Sequence, residues 1–150
     1  MGLPKSISGL KKLESLYLQN NSITEITGEI GRVMNLKTLD LSFNELRRLP
    51  GSICNLQQLE TLNLYVNKLE ELPGLIGQLG KLKELNASYN QLTSLPDSMG
   101  ELQQLDSLYA RANNLTSIPV SLKNLSNLKK LVLDKSSKRE RLYSNGIIYY

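Results

Sequence analysis

The sequence predicts an α/β solenoid in which short parallel strands stack along one side of a coil and 3₁₀ or short helical segments return along the other. Three observations carry that prediction. Leucines recur at 13, 36, 59, 82, 105 and 128, a constant step of 23 residues. Two further columns keep fixed offsets, Leu16/Leu39/Leu62/Leu85/Leu108/Leu131 and Leu18/Leu41/Leu64/Ala87/Ala110/Leu133. An asparagine column (Asn21, Asn44, Asn67, Asn90, Asn113) closes each strand-like stretch, and a leucine–proline pair such as Leu49-Pro50 opens the second half of the unit.

Each part of the unit follows from its spacing. The step of two between Leu39 and Leu41 is strand alternation, so both leucines face one way and Thr38, Asp40 and Ser42 the other. From Ile53 through Leu56 to Leu59 the spacing of three suits a 3₁₀ turn or short helix. Pro50 opens it, because a fixed φ and a missing N–H are tolerated at a helical start. The asparagines stand where the chain turns inward, and an amide there can satisfy turn backbone that would otherwise be buried unpaired. No single repeat can bury its own leucines, so the units must stack with strands about 4.8 Å apart in a parallel sheet. Each leucine so buried contributes roughly 1.5–3 kcal/mol.

The pattern LxxLxLxxNxL, as in LKTLDLSFNEL and LETLNLYVNKL, is followed by xxLPxxIxxL, as in RRLPGSICNL and TSLPDSMGEL. Together they resemble the leucine-rich-repeat family in its 23-residue form with Leu-Pro, a type similar to that of signalling scaffolds, bacterial repeat proteins and plant proteins. The resemblance implies a right-handed, horseshoe-like solenoid with a concave parallel β-sheet, a convex 3₁₀ or short helical side, and a protein ligand held on the concave face. It places a leucine-rich-repeat domain over residues 1–134: a partial repeat 3–12, repeats starting at 13, 36, 59, 82 and 105, and a partial repeat 128–134. Residues 135–150 form a basic C-terminal tail. Two departures stand out. Thr27 replaces proline, which predicts a looser first convex segment. Ala87 and Ala110 replace leucine in adjacent repeats, which predicts distinct packing there, with Met99 as a filler.

Composition narrows the function. The 150 residues suffice for one domain. No apolar run approaches the roughly 20 residues of a membrane helix, and Met1–Leu10 does not resemble a signal peptide. The single cysteine, Cys54, cannot form an internal disulfide, which points to a cytoplasmic protein. Acceptor tripeptides at Asn20, Asn86, Asn114 and Asn124 point the other way and are discounted as chance matches. With no histidine, His-based acid–base or nucleophilic machinery is excluded, and zinc would lack both histidine and a second cysteine. No Gly-rich phosphate loop appears, and Glu70-Glu71 reads as a solvated pair. We therefore expect no enzyme in its own right, no cofactor and no metal. The alternative is the recognition domain of a ligase or kinase whose catalytic part lies outside this chain.

The net charge of +4 belongs to one end. Between Lys123 and Arg141 seven basic residues face two acidic ones, a local balance of +5 that leaves the rest of the chain at −1. Lys129, Lys130, Lys135, Lys138, Arg139 and Arg141 offer a second function class, an anionic partner such as nucleic acid or acidic membrane; a solvated charge run is the favoured reading. Asn145-Gly146 between apolar residues signals a hairpin that would cap the last repeat, against the alternative of an unstructured tail. At the other end Leu3, Pro4, Ile7 and Leu10 match the second half of a repeat, so the chain begins in mid-repeat. Either it is a fragment of a longer protein, or a homo-oligomer covers the uncapped first strand at Leu13–Leu18.

Specificity can be written only on the outward strand positions, which have no core duty. The middle outward column runs Tyr17, Asp40, Asn63, Asn86, Tyr109, and the next runs Gln19, Ser42, Tyr65, Ser88, Arg111. Phe43 and Tyr89 stand just before the asparagines. Four of the seven tyrosines and the only phenylalanine thus fall on or beside one surface. Tyrosine and arginine are enriched at binding hot spots, so these twelve residues are the expected partner-binding set. Phe43 and Tyr89 have a second reading, sideways packing against neighbouring repeats.

Overall fold

The 23-residue step becomes a coil with one three-residue strand per turn. These are β1 (Ser15–Tyr17), β2 (Thr38–Asp40), β3 (Thr61–Asn63), β4 (Glu84–Asn86), β5 (Ser107–Tyr109) and β6 (Lys130–Val132). The computed structural model describes residues 2–134 and the backbone of 147–149, which adds β7 (Ile147–Tyr149) beside β6. All neighbours pair in parallel in sequence order, and Leu16, Leu39, Leu62, Leu85, Leu108 and Leu131 lie directly beside one another. The hairpin expected around Asn145-Gly146 lies outside the described residues.

The leucine columns face inward and fuse into one continuous core, from Ile7 to Leu133. The asparagines do what their place in the turn suggested. Asn67 Nδ2 donates to the carbonyls of Leu41 (2.9 Å) and Leu64 (3.2 Å), while its Oδ1 accepts from the Leu46 N–H (3.0 Å). One buried amide thus satisfies turn backbone in its own repeat and in the one before. Asn44 and Asn90 repeat the arrangement.

The opposite side carries six 3₁₀ segments: η1 (Lys5–Gly9), η2 (Gly28–Arg32), η3 (Gly51–Asn55), η4 (Ile76–Gln78), η5 (Asp97–Glu101) and η6 (Val120–Asn124). Pro4, Pro50, Pro96 and Pro119 precede four of them with φ between −63° and −70°. The expectation of a looser segment at Thr27 is not met. Thr27 has φ −63°, its hydroxyl accepts from the Glu29 N–H, and η2 is as long as η3. A hydroxyl cap replaces the ring constraint.

The irregular segment is η4. At Gly31, Gly77 and Gly100 an added Cβ would run into the backbone of Ser52, Ser98 and Ser121 in the next repeat, so glycine is what lets these turns approach. Cys54 occupies the same column and Leu75 the serine column. Beside the Cys54 side chain Leu75 adopts φ −100°, ψ 20°, and η4 shrinks to three residues. A cleft of about 450 Å³ opens there, lined by Leu49, Gly51, Cys54, Glu71, Pro73, Gly74 and Leu75. By contrast Ala87 and Ala110 leave the backbone ladder unchanged. Their N–H groups donate to Tyr109 O (2.8 Å) and Val132 O (2.9 Å), and both are buried in the same core as Met99.

Candidate functional site

On the face away from the leucines, a turn conformation decides which side chains stand proud. Asn20, Phe43, Val66, Tyr89 and Ala112, each just before an asparagine, all have φ between 53° and 57°. This left-handed region costs an L-residue about 1–2 kcal/mol and is a genuine outlier for β-branched Val66. It is held by the ladder: the Phe43 N–H donates to Tyr65 O (2.8 Å) and the Asn44 N–H to Val66 O (3.2 Å). The Tyr89 N–H likewise donates to Arg111 O (2.8 Å). The left-handed turn thus sets Phe43 beside Tyr65, and Tyr89 beside Arg111, along one rim of the sheet.

The rings meet. Phe43 and Tyr65 lie 5.3 Å apart at 72°, and Tyr65 and Tyr89 5.2 Å apart at 67°. These are edge-to-face contacts, which the quadrupoles of aromatic rings favour. Phe43 and Tyr89 remain 47% and 46% exposed. Both readings of these two residues hold, since they pack sideways on Tyr65 and still present ring surface outward.

Ser42 and Ser88 lie lower than strand alternation suggests. The sequence set them in the binding surface, yet they are only 4% and 6% exposed. Both are short side chains flanking Tyr65 in its own column, and the Ser42 hydroxyl is bonded at 2.6 Å to Asp40. Asp40, Asn63 and Asn86 are half-buried, and each accepts the N–H two residues on, at Ser42 (2.9 Å), Tyr65 (3.2 Å) and Ser88 (3.1 Å). Asp40 Oδ2 also accepts from Asn63 Nδ2 (3.0 Å). This row helps end the strands as well as lining the face. Tyr17 and Gln19 are exposed on and just beyond β1, and half-buried Tyr109 has the Lys130 ammonium 4.8 Å from its ring centre. Arg111 is exposed. Of the four arginines among the described residues, Arg32, Arg47 and Arg48 pair with Glu29, Glu70 and Glu71, and Arg111 pairs with no carboxylate.

The charges flanking the strands form ladders between repeats. Glu14–Lys37 (2.9 Å), Glu60–Lys83 (2.7 Å) and Asp106–Lys129 (2.9 Å) pair along one column, and Glu45–Lys68 (2.8 Å) along another. In the first column the strict alternation of sign every 23 residues was the signal that could have found them. Hydrogen bonds from Lys68 and Lys83 hold Glu45 and Glu60 below the usual carboxylate range, and the Ser107 hydroxyl, then Lys129, do so for Asp106. On the convex side burial pushes the Cys54 thiol up. Among the described residues no group of three His, Cys, Asp or Glu side chains could hold a metal, and no helix is long and apolar enough to cross a membrane.

A family model described as a leucine-rich repeat region matches residues 3–91, and a second, for the leucine-rich repeat itself, matches residues 81–102. This chain belongs to the leucine-rich-repeat family. Its right-handed solenoid is shared with solved structures. The plant peptide hormone receptor RGFR1 in complex with RGF2 is 34% identical over 89% of this chain and 22% of that one, with a TM-score of 0.81. PEPR1–AtPEP1 is 31% identical over 89% of this chain and 19% of that one, at 0.83. A leucine-rich-repeat protein of Leptospira interrogans is 36% identical over 89% and 40%, at 0.67. The chain therefore spans well under half of these relatives. A search of curated proteins gives no match. The leucine-rich-repeat fold and these neighbours make the chain a protein-interaction module in general terms.

Proposed function

We propose that this leucine-rich-repeat chain is the recognition part of a larger scaffold or signalling protein and binds a protein or peptide on its concave face. The observation that carries the reading is the rim row Phe43–Tyr65–Tyr89, three rings packed in series above a uniform backbone, with Phe43 and Tyr89 exposed and Tyr65 half-buried between them. Rigid aromatic surface gives large contact area at small loss of side-chain freedom, which is why tyrosine recurs at hot spots. Six strands at about 4.8 Å offer a face wide enough for a standard interface of about 800 Å² per partner. Two structural neighbours support the reading in kind, since RGFR1 and PEPR1 are each solved with a bound partner, RGF2 and AtPEP1. The absence of histidine from the sequence argues against catalysis by this chain itself.

The test compares two substituted proteins. Tyr17, Tyr65 and Tyr109 changed together to alanine should abolish capture of a partner from source cells, while Leu75→Ser on the convex cleft should retain it. A partner kept by the triple variant and lost by Leu75→Ser would move the site to the convex side.

A second reading, self-association through the β1 edge, is favoured by the half-buried state of Leu13, Leu16 and Leu18, whose counterparts at Leu36, Leu39 and Leu41 are fully covered. Light scattering that returns a monomer at high protein concentration would contradict it.

A further inference from the structure

The rim row does not stop at Tyr89. One repeat further it reaches Arg111, whose carbonyl accepts the Tyr89 N–H, so the order along the rim is ring, ring, ring, guanidinium. Arg111 is exposed and, among the described residues, lacks the carboxylate partner that Arg32, Arg47 and Arg48 each have. Nearby carboxylates are engaged or distant. Asp134, one strand over, turns its Oδ2 to the Asn113 N–H (3.2 Å), and Asp40 is bonded to Ser42 and Asn63. Glu84 opens β4, four residues back along the strand direction, roughly 13 Å away at about 3.3 Å per residue. The Lys130 ammonium over Tyr109 adds positive charge on the same side of the face. The row therefore presents apolar surface that ends in a fork-shaped cation with no carboxylate bonded to it among the described residues, which suits a carboxylate.

Resting on the concave-face reading, we propose that the occupant is an extended peptide segment crossing the strands, with two apolar side chains on the rings and an Asp or Glu side chain on Arg111. Its spacing follows from geometry. Three repeats separate Phe43 from Arg111, about 14 Å at a strand spacing of about 4.8 Å. An extended chain at about 3.4 Å per residue covers that length in four residues, and side chains two apart share a face. The recognised pattern is apolar, any, apolar, any, acidic, readable in either chain direction.

The experiment uses the full chain and a library of short random peptides displayed on phage with their C-termini fused, so only side-chain carboxylates are sampled. The selected peptides should carry an acidic residue four positions from an apolar one. A representative synthetic peptide, amidated at its C-terminus, should bind Arg111→Glu about tenfold more weakly or worse, and selection on Arg111→Glu should favour a basic residue at that position. Arg111→Lys, which keeps the charge and loses the fork, should bind more weakly than the parent chain and more tightly than Arg111→Glu. Peptides lost on Tyr65→Ala yet indifferent to Arg111→Glu overturn the acidic partner and leave the concave face standing. Peptides that survive both substitutions overturn the concave reading itself. Enrichment no greater than on the Tyr65→Ala/Arg111→Glu protein, with both folded by circular dichroism, overturns the proposal.

Discussion

On the concave side Tyr17, Asp40, Asn63, Asn86 and Tyr109 share one column, differ in size and charge, and sit on strands of identical register. On the convex side one departure, Cys54 where the neighbouring repeats have Gly31, Gly77 and Gly100, coincides with a shortened η4 and an open cleft. The difference lies in what fills the space around each side chain. Concave residues project into solvent while the leucines and asparagines beneath them fix the backbone. The space beside a convex glycine is already taken by the next repeat's carbonyl. Side-chain identity is therefore free to vary on the face where recognition is proposed and constrained on the other.

That contrast can be broken in several places, and the largest effect is expected at the asparagines that fix the concave backbone. Asn67→Ala removes a side chain making three buried hydrogen bonds and strands backbone partners. Each buried group left unsatisfied costs about 1–3 kcal/mol, so a loss of about 3 kcal/mol or more is expected in urea denaturation. Asn21→Ala, whose two bonds are exposed, should cost about 1 kcal/mol or less. Equal losses would mean that the amides do not hold the coil. Next comes the convex seam. Gly77→Ala forces a Cβ against the Ser98 carbonyl and should cost about 1–3 kcal/mol, whereas Cys54→Ala, at the wall of an open cleft, should cost about 1 kcal/mol. Matching costs would remove Cys54 as the cause of the cleft.

Most of the coil was legible because the residues that build it repeat. Leucine spacing, the asparagine turn and the proline start each fix one local structure, and a period of 23 leaves one way to stack them. What was not legible depends on pairs in different repeats. Ser42 and Ser88 alternate outward like any strand residue, yet these short side chains beside Tyr65 in the column are left below the surface. The Thr27 cap substitutes a hydroxyl for a ring, so a missing proline misled. The Cys54 seam needed the glycine column to be read against the serine column of the next repeat. The rim row was visible as separate exposed aromatics; its continuity required the left-handed turns at Phe43 and Tyr89, positions where sequence alone favours glycine or asparagine.

Smaller effects sharpen the same contrast. Ala112→Gly relieves a left-handed φ of 54° on a partly exposed residue and should stabilise by about 0.5–1 kcal/mol, with binding unchanged if Ala112 only shapes the turn. The weakest effect is electrostatic. Glu45, Glu60 and Asp106 titrate below their ordinary values of 4.5, 4.5 and 3.8, so their contribution is present above those values and is lost as pH falls through the lowered ones. A shallow decline in melting temperature on acidification is expected, and high salt should flatten it, because these pairs are solvent-exposed.

The most direct test of the central claim is a map of the bound surface: backbone amide chemical shifts of the labelled chain, recorded while a selected acidic peptide is titrated in. The account predicts that the amides of Phe43, Tyr65, Tyr89 and Arg111 and their concave neighbours move together and saturate at one affinity, while Gly74, Leu75 and Val120 stay in place. Shifts centred on the convex cleft, with the rim row unmoved, would contradict it.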